Sequence, residues 1–353
     1  MNTILTILLT LFIIGFFVFI HELGHYAAAR KFKVTVKEFA IGMGPKVYSR
    51  VSPKTGIRYS LRALPIGGYV SMVGEDETSD DPNALNKKPV WQRMVIMAAG
   101  GVMNLLFALL IMIIVVAARG DMHGTTVEEF RSDSTSYSQL YVDDRITHIN
   151  NRRVRNFMEL NYAIVRTGEI VVAEGGEYFY TIVNLTVIRD NQRVNLERVQ
   201  FRAVNENLRI DFFPEQISRN FFTIIGQGYR ESIFIMRMFY DGIGDMIRGD
   251  VGLDQMAGPI GMGSMVGETI EQGFVAGLPS LLLLSALISF NLGLLNLVPF
   301  PALDGGRLVF LAIEGIRRKP VKPEIEGMIH FAGIVLFMVL MLVLTVSDIG
   351  RLF

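Results

Sequence analysis

The chain has 353 residues, half of them apolar and 19% charged, against about 25% charged in an ordinary soluble domain, and its mean hydropathy is +0.37. That balance excludes a disordered polymer, which needs low hydrophobicity and high net charge. Lys plus Arg and Asp plus Glu stand at 34 each and there is no cysteine, so bulk charge offers no case for nucleic-acid binding. Disulfides, Cys-held metals and thiol nucleophiles are also excluded.

The apolar residues are concentrated in four stretches. Ile4 to Ile20 holds no ionisable side chain, nor do the 25 residues Met94 to Ala118 or the 31 residues Gly273 to Leu303. Met328 to Val346 holds only His330. A bilayer core needs roughly 20 helical residues, so four transmembrane helices are predicted. Residues 1–20 carry no Lys or Arg, so the first stretch lacks the basic start of a secretory signal and reads as a retained span. All nine lysines fall in the loops 30–93 and 304–327. The positive-inside rule then puts those loops in the cytoplasm, and both termini and segment 119–272 outside.

Between the first two spans, residues 57–74 alternate at Tyr59, Leu61 and Ala63 and break at Gly67-Gly68, which suggests a β-hairpin. Glu75 to Asp81 reads as a mobile acidic loop. Segment 119–212 reads as β-rich, with a strand before a turn at Asn150-Asn151. A helix follows from Phe157 to Arg166, then two strands around a turn at Asp190-Asn191. His123 and His148 in this segment read as solvated or structural, and His330 as interfacial. Residues 219–250 mix aromatics, Met and charges, and read as amphipathic helices on the outer surface. The organisation expected is spans one and two with the hairpin in 1–118 and an extracytoplasmic domain in 119–212. Surface helices and a linker fill 213–272, and spans three and four occupy 273–353.

The first span closes on His21-Glu22-Leu23-Gly24-His25. Two His at i and i+4 share a helix face and can hold one zinc ion, while Glu22 sits beside it as a general base. Three ionisable groups on an apolar helix each cost about 2.5–3.5 kcal/mol to insert, and metal coordination compensates. A catalytic zinc usually has a third protein ligand. The third span runs inward like the first and ends Asn296-Leu-Val-Pro299-Phe-Pro301-Ala-Leu303-Asp304-Gly305-Gly306. Pro299 and Pro301 should unwind it. On spacing alone Asp304 reads equally as that third ligand or as an interfacial cap before a loop.

These two motifs resemble the bacterial site-2 protease family, the zinc metalloproteases of regulated intramembrane proteolysis. The resemblance extends through Gly42-Met43-Gly44-Pro45, Arg62 to Val70, Ala99-Gly100-Gly101-Val102-Met103-Asn104 and Gly258-Pro259-Ile260-Gly261. Gly101 stands where the family often has Pro, yet Gly100, Asn104 and Ala108 keep a small-residue row for close helix contact. The resemblance implies a polytopic α-helical protein of the bacterial inner membrane that binds Zn2+ through His21, His25 and Asp304, with Glu22 as base. It also implies that Asn296 contacts the substrate and that the membrane-associated hairpin, with Gly67, Gly68 and Tyr69, takes up the unwound substrate strand. The substrates implied are single-span membrane proteins already trimmed of their outer domain. The external insert resembles a PDZ domain that binds peptides or filters substrates by size, although Ser138 to Asp144 departs from the usual motif and Val171 to Tyr180 looks inserted. Two other readings compete: a non-catalytic membrane scaffold that binds peptides through the insert, and a zinc transporter. The latter would want ionisable groups along several spans.

Overall fold

A computed structural model describes residues 3–75, 77, 79–172, 179–204, 207–208, 210–252, 261, 267 and 274–352. In chain order the elements are α1 (Thr3–Lys31), β1 (Val36–Val51), β2 (Arg58–Met72), α2 (Val90–Ala118), β3 (His123–Phe130), β4 (Arg145–Ile149), β5 (Arg152–Arg153), α3 (Phe157–Thr167), β6 (Glu169–Val172), β7 (Phe179–Arg189), β8 (Gln192–Val204), β9 (Asn207–Leu208) and β10 (Phe212–Gln216). Then follow α4 (Phe221–Arg248), α5 (Phe274–Leu297), α6 (Asp304–Arg317) and α7 (Pro323–Leu352). The chain divides into two units, one of Met1–Ile111 with Ile235–Phe353 and one of Met112–Phe234.

Four helices are long and apolar enough to cross a membrane: Ile7–Lys31, Val90–Ala118, Gly277–Leu297 and Glu324–Gly350. They coincide with the four apolar stretches. The third helix stops at Leu297, as the prolines require. Val298 to Leu303 is non-helical, with Ala302 at φ 87°, and Asp304 opens a fresh helix.

The hairpin differs from the sequence expectation. It pairs β1 with β2, and its turn is Ser52 to Ile57, closed by bonds from Ser52 N to Ile57 O (2.9 Å) and from Gly56 N to Ser52 O (2.9 Å). Gly67 and Gly68 lie inside β2. Gly67, at φ 79°, lets the strand bend while Gly68 stays in register with Ile41. The outer half of β1 is exposed at every residue from Pro45 onward, so it shows none of the alternation that marks a half-buried strand. Aromatic contacts seat the hairpin on the end of α1. Phe19 and Phe39 meet edge to face at 5.9 Å, and the Tyr26 and Tyr59 hydroxyls bond at 2.7 Å.

The second unit is built on an antiparallel sheet of order β10-β3-β4-β7-β8-β9, with β5 on β4 and β6 on β7. Both predicted turns form with positive φ at each central residue, 45° and 67° at Asn150-Asn151 and 49° and 60° at Asp190-Asn191. That is the twist tight hairpins favour. The helix expected from Phe157 is α3, capped by Asn156 Oδ1, which accepts from Glu159 N at 2.8 Å. Ile146, Ile149, Leu160, Ile164 and Phe201 are fully buried around it, each contributing about 1.5–3 kcal/mol of apolar transfer. Residues 219–250 hold one continuous helix, α4, rather than several. Most of the Val171–Tyr180 segment and Gly258 to Ile260 lie outside the described residues.

Candidate metal centre

His21 and His25 project from one face of α1 because they stand one helical turn apart. Asp304 comes to them from the first turn of α6. Its Oδ2 lies 3.0 Å from His21 Nε2 and 3.1 Å from His25 Nε2, and the two Nε2 atoms are 3.1 Å apart. Both imidazoles are buried and the carboxylate is half-buried. Asp304 thus stands at the head of α6 and meets both rings.

The hydrogen bonding of His25 sets the character of this triangle. Its Nδ1 lies 2.8 Å from the backbone carbonyl of Ile96 on α2. A carbonyl only accepts, so Nδ1 holds a proton, and in the neutral ring Nε2 presents its lone pair toward Asp304. A lone pair and a carboxylate oxygen 3.1 Å apart repel unless a metal ion or a second ring proton lies among them. The three separations are close to the roughly 3.3 Å between two ligands of a tetrahedral zinc bonded at 2.0–2.1 Å. Two nitrogens and one oxygen form a donor set of the zinc type, and the residues present fit that ion.

Close approach of α2 completes the pocket. A Cβ built on Gly100 would fall 2.7 Å from His21 Nε2 and Cε1, so only glycine leaves the rings their place. One and two turns along, Asn104 and Ala108 are fully buried, and Ser289 of α5 donates to the Asn104 carbonyl at 2.9 Å. The small-residue row is thus a packing seam.

A cavity of about 290 Å³ opens on the triangle, and Glu22, Tyr69, Asn296 and Asp304 are among its walls. β2 runs beside Glu22, since a Cβ on Gly68 would lie 3.5 Å from Glu22 Cγ. Gly67 turns elsewhere, toward Met43. Asn296 Nδ2 is engaged within α5, donating to Leu292 O at 2.9 Å. Three further wall residues escaped the sequence reading. Glu75, expected in a mobile solvated loop, accepts from Arg307 of α6 at 2.6 Å, and His330 of α7 also faces the cavity. The Ile96 carbonyl was illegible in principle, because a main-chain oxygen carries no residue signature. Gly100 had a signal in the small-residue row. His123 and His148 lie in the second unit, where His123 packs against Phe157.

The sequence model described as Peptidase family M50 matches residues 9–340. The chain is 30% identical over 360 residues to the Fusobacterium nucleatum protein FN1322, whose assigned name is that of a zinc metalloprotease, covering 99% of this chain and 100% of that one. It is 29% identical to the zinc metalloprotease RasP of Bacillus licheniformis over the whole of both chains. The regulator of sigma-W protease RasP of Bacillus subtilis is 26% identical over 99% of each.

Proposed function

The chain belongs to peptidase family M50, the site-2 proteases, and on that premise we propose how its own residues carry out zinc-dependent proteolysis within the membrane. It is a multi-pass membrane metalloprotease with Zn2+ as cofactor. His21, His25 and Asp304 are the residues that would hold the ion, and the observation that carries this reading is the convergence of His21 Nε2, His25 Nε2 and Asp304 Oδ2 at 3.0–3.1 Å from one another, with the far side of the His25 ring tied to the Ile96 carbonyl. The bound ion supplies a Lewis acid and brings the pKa of a water to about 7.

Glu22 takes the proton from the attacking water and delivers it to the departing amide nitrogen. It lines the cavity with the triangle and lies against β2, which suits it to serve a water at the triangle and a substrate strand beside β2. A peptide bond in a helix is shielded by its own backbone, so the substrate must unwind before attack. The edge of β2 at Gly68 and Tyr69 offers main-chain groups to an unwound segment. Asn296, which also lines the cavity, steadies the substrate carbonyl. Single-span proteins with their outer domain already removed suit such a cavity, and the B. subtilis relative's name points to regulation of a sigma factor. The PDZ-like insert lies outside, binding peptides or excluding bulky substrates, in the cytoplasmic membrane of a bacterium.

Glu22→Gln tests the assignment. The variant is expected to keep stoichiometric zinc and to lose cleavage of a truncated single-span reporter by at least about a hundredfold, the usual contribution of a general base. Cleavage at the parental rate would overturn it.

A further inference from the structure

The second unit holds a cavity of about 680 Å³ whose walls include Arg145, Arg153, Arg155, Arg193 and Arg230, faced by one carboxylate, Glu215. The five arginines come from β4, β5, the loop after β5, β8 and α4, so the fold rather than a basic run gathers them. None of the five forms an ion pair within 4 Å among the described residues. A formal +4 therefore stands uncompensated in one concavity of a chain whose total charge is zero. The field reaches His148 in the same wall, whose pKa is lowered first by burial and then by Arg193 and Arg153. Residues 119–272 carry no lysine at all. Arginine presents a planar fork of donors that matches phosphate oxygens, and it accepts desolvation more readily than an ammonium.

The cavity's rim is tied to the outer end of a span. Arg230 is followed on α4 by Glu231, which pairs with Arg119 at 2.9 Å, and Arg119 directly follows the last residue of α2. Arg219, just before α4, donates to the carbonyls of Ala117 (2.7 Å) and Gly120 (3.0 Å). The first turn of α4 then presents Phe221 and Phe222, 71% and 81% exposed. Exposed Phe on an amphipathic helix beside the end of a span seats at the headgroup–acyl boundary. We propose that this arginine-lined cavity binds the phosphate of an anionic phospholipid headgroup, docking the second unit onto the lipid surface.

The test uses the full chain in lipid-poor micelles with equimolar phosphatidylglycerol and phosphatidylcholine, read by the lipids retained in native mass spectrometry. The parent should retain phosphatidylglycerol about tenfold over phosphatidylcholine, since both offer a phosphate but the choline cation of the second is repelled by the arginines. Arg153→Gln with Arg193→Gln should bring the two lipids to parity. Arg153→Lys with Arg193→Lys should keep most of the preference, and Arg198→Gln, outside the cavity, should keep all of it. Removing uncompensated like charges should not lower the unfolding midpoint of the lipid-free glutamine pair. If it does fall, Arg145→Gln with Arg230→Gln repeats the comparison. An undiminished preference in both glutamine pairs overturns the site. Inorganic phosphate that displaces phosphatidylglycerol at equal concentration would assign the cavity to a free anion and overturn the lipid assignment.

Discussion

At the level of single residues, the centre depends on an atom that is missing. Gly100 sits mid-helix, where alanine would be favoured by about 1 kcal/mol, yet a Cβ there meets His21 at 2.7 Å. Gly100→Ala should therefore leave helical circular dichroism unchanged or slightly raised while metal analysis finds most of the zinc gone. Full zinc occupancy in that variant would mean that the rings are not confined by α2. Glu38 makes a different prediction. Burial pushes its pKa up, but bonds from Ser60, Lys46, Tyr69 and Arg62 outweigh that and bring it down to about 2 from an ordinary 4.5. A carboxylate with a depressed folded-state pKa lends stability above the unfolded value and loses it as pH falls through the folded one. Hydrogen exchange in β1 and β2, corrected for intrinsic rates, should thus lose protection between about pH 4.5 and 2. Glu38→Gln should abolish that dependence, and a hairpin equally protected across the window would contradict the assignment.

Among the elements, an ion pair on a fully buried carboxylate helps to fasten the second unit. Asp144 is fully buried and takes Arg189 Nε and Nη2 at 2.7 Å each, with the Tyr141 N–H at 2.8 Å. This ties the start of β4 to the end of β7. Asp144→Ala takes the carboxylate from Arg189, which keeps the Gln139 carbonyl and the Tyr141 ring, and strands the Tyr141 N–H, and should cost about 3–5 kcal/mol. Denaturant unfolding of the full chain in micelles should show an early transition for this unit, and an unchanged transition would refute the cost. Asp144→Ala with Arg189→Met should recover much of the loss.

The same elements show what could be read from residues alone. The spans were legible because lipid requires long uncharged runs. The break after Leu297 was legible because proline cannot continue a helix, and α3, β7 and β8 because their periods are clean and their turns carry Asn and Asp. β1 was not, because its exposed outer half has no alternation to detect. The hairpin turn went unseen with it, and Gly67-Gly68 drew attention to a bend inside a strand. The arginine cavity was invisible for another reason. Its members are spread from Arg145 to Arg230 over separate elements, and only folding brings them together.

Across the whole molecule, the chemistry is a matter of bringing distant chain segments to one point. His21 and Asp304 are 283 residues apart in sequence and 3.0 Å apart in space. The HExxH spacing proposes two ligands. The broken third span brings Asp304 to them as the proposed third, and α2 shapes the pocket from the side. Zinc should be removable with a strong chelator and cleavage lost with it, and added zinc should restore both. Decisive evidence lies in zinc content and zinc-edge X-ray absorption of the purified full chain, compared with its Asp304→Ala and His21→Ala variants. One zinc per chain with two imidazole nitrogens and an oxygen-rich remainder, lost in both variants while the helices persist, is the expected result. Stoichiometric zinc with an unaltered absorption spectrum in Asp304→Ala would contradict it.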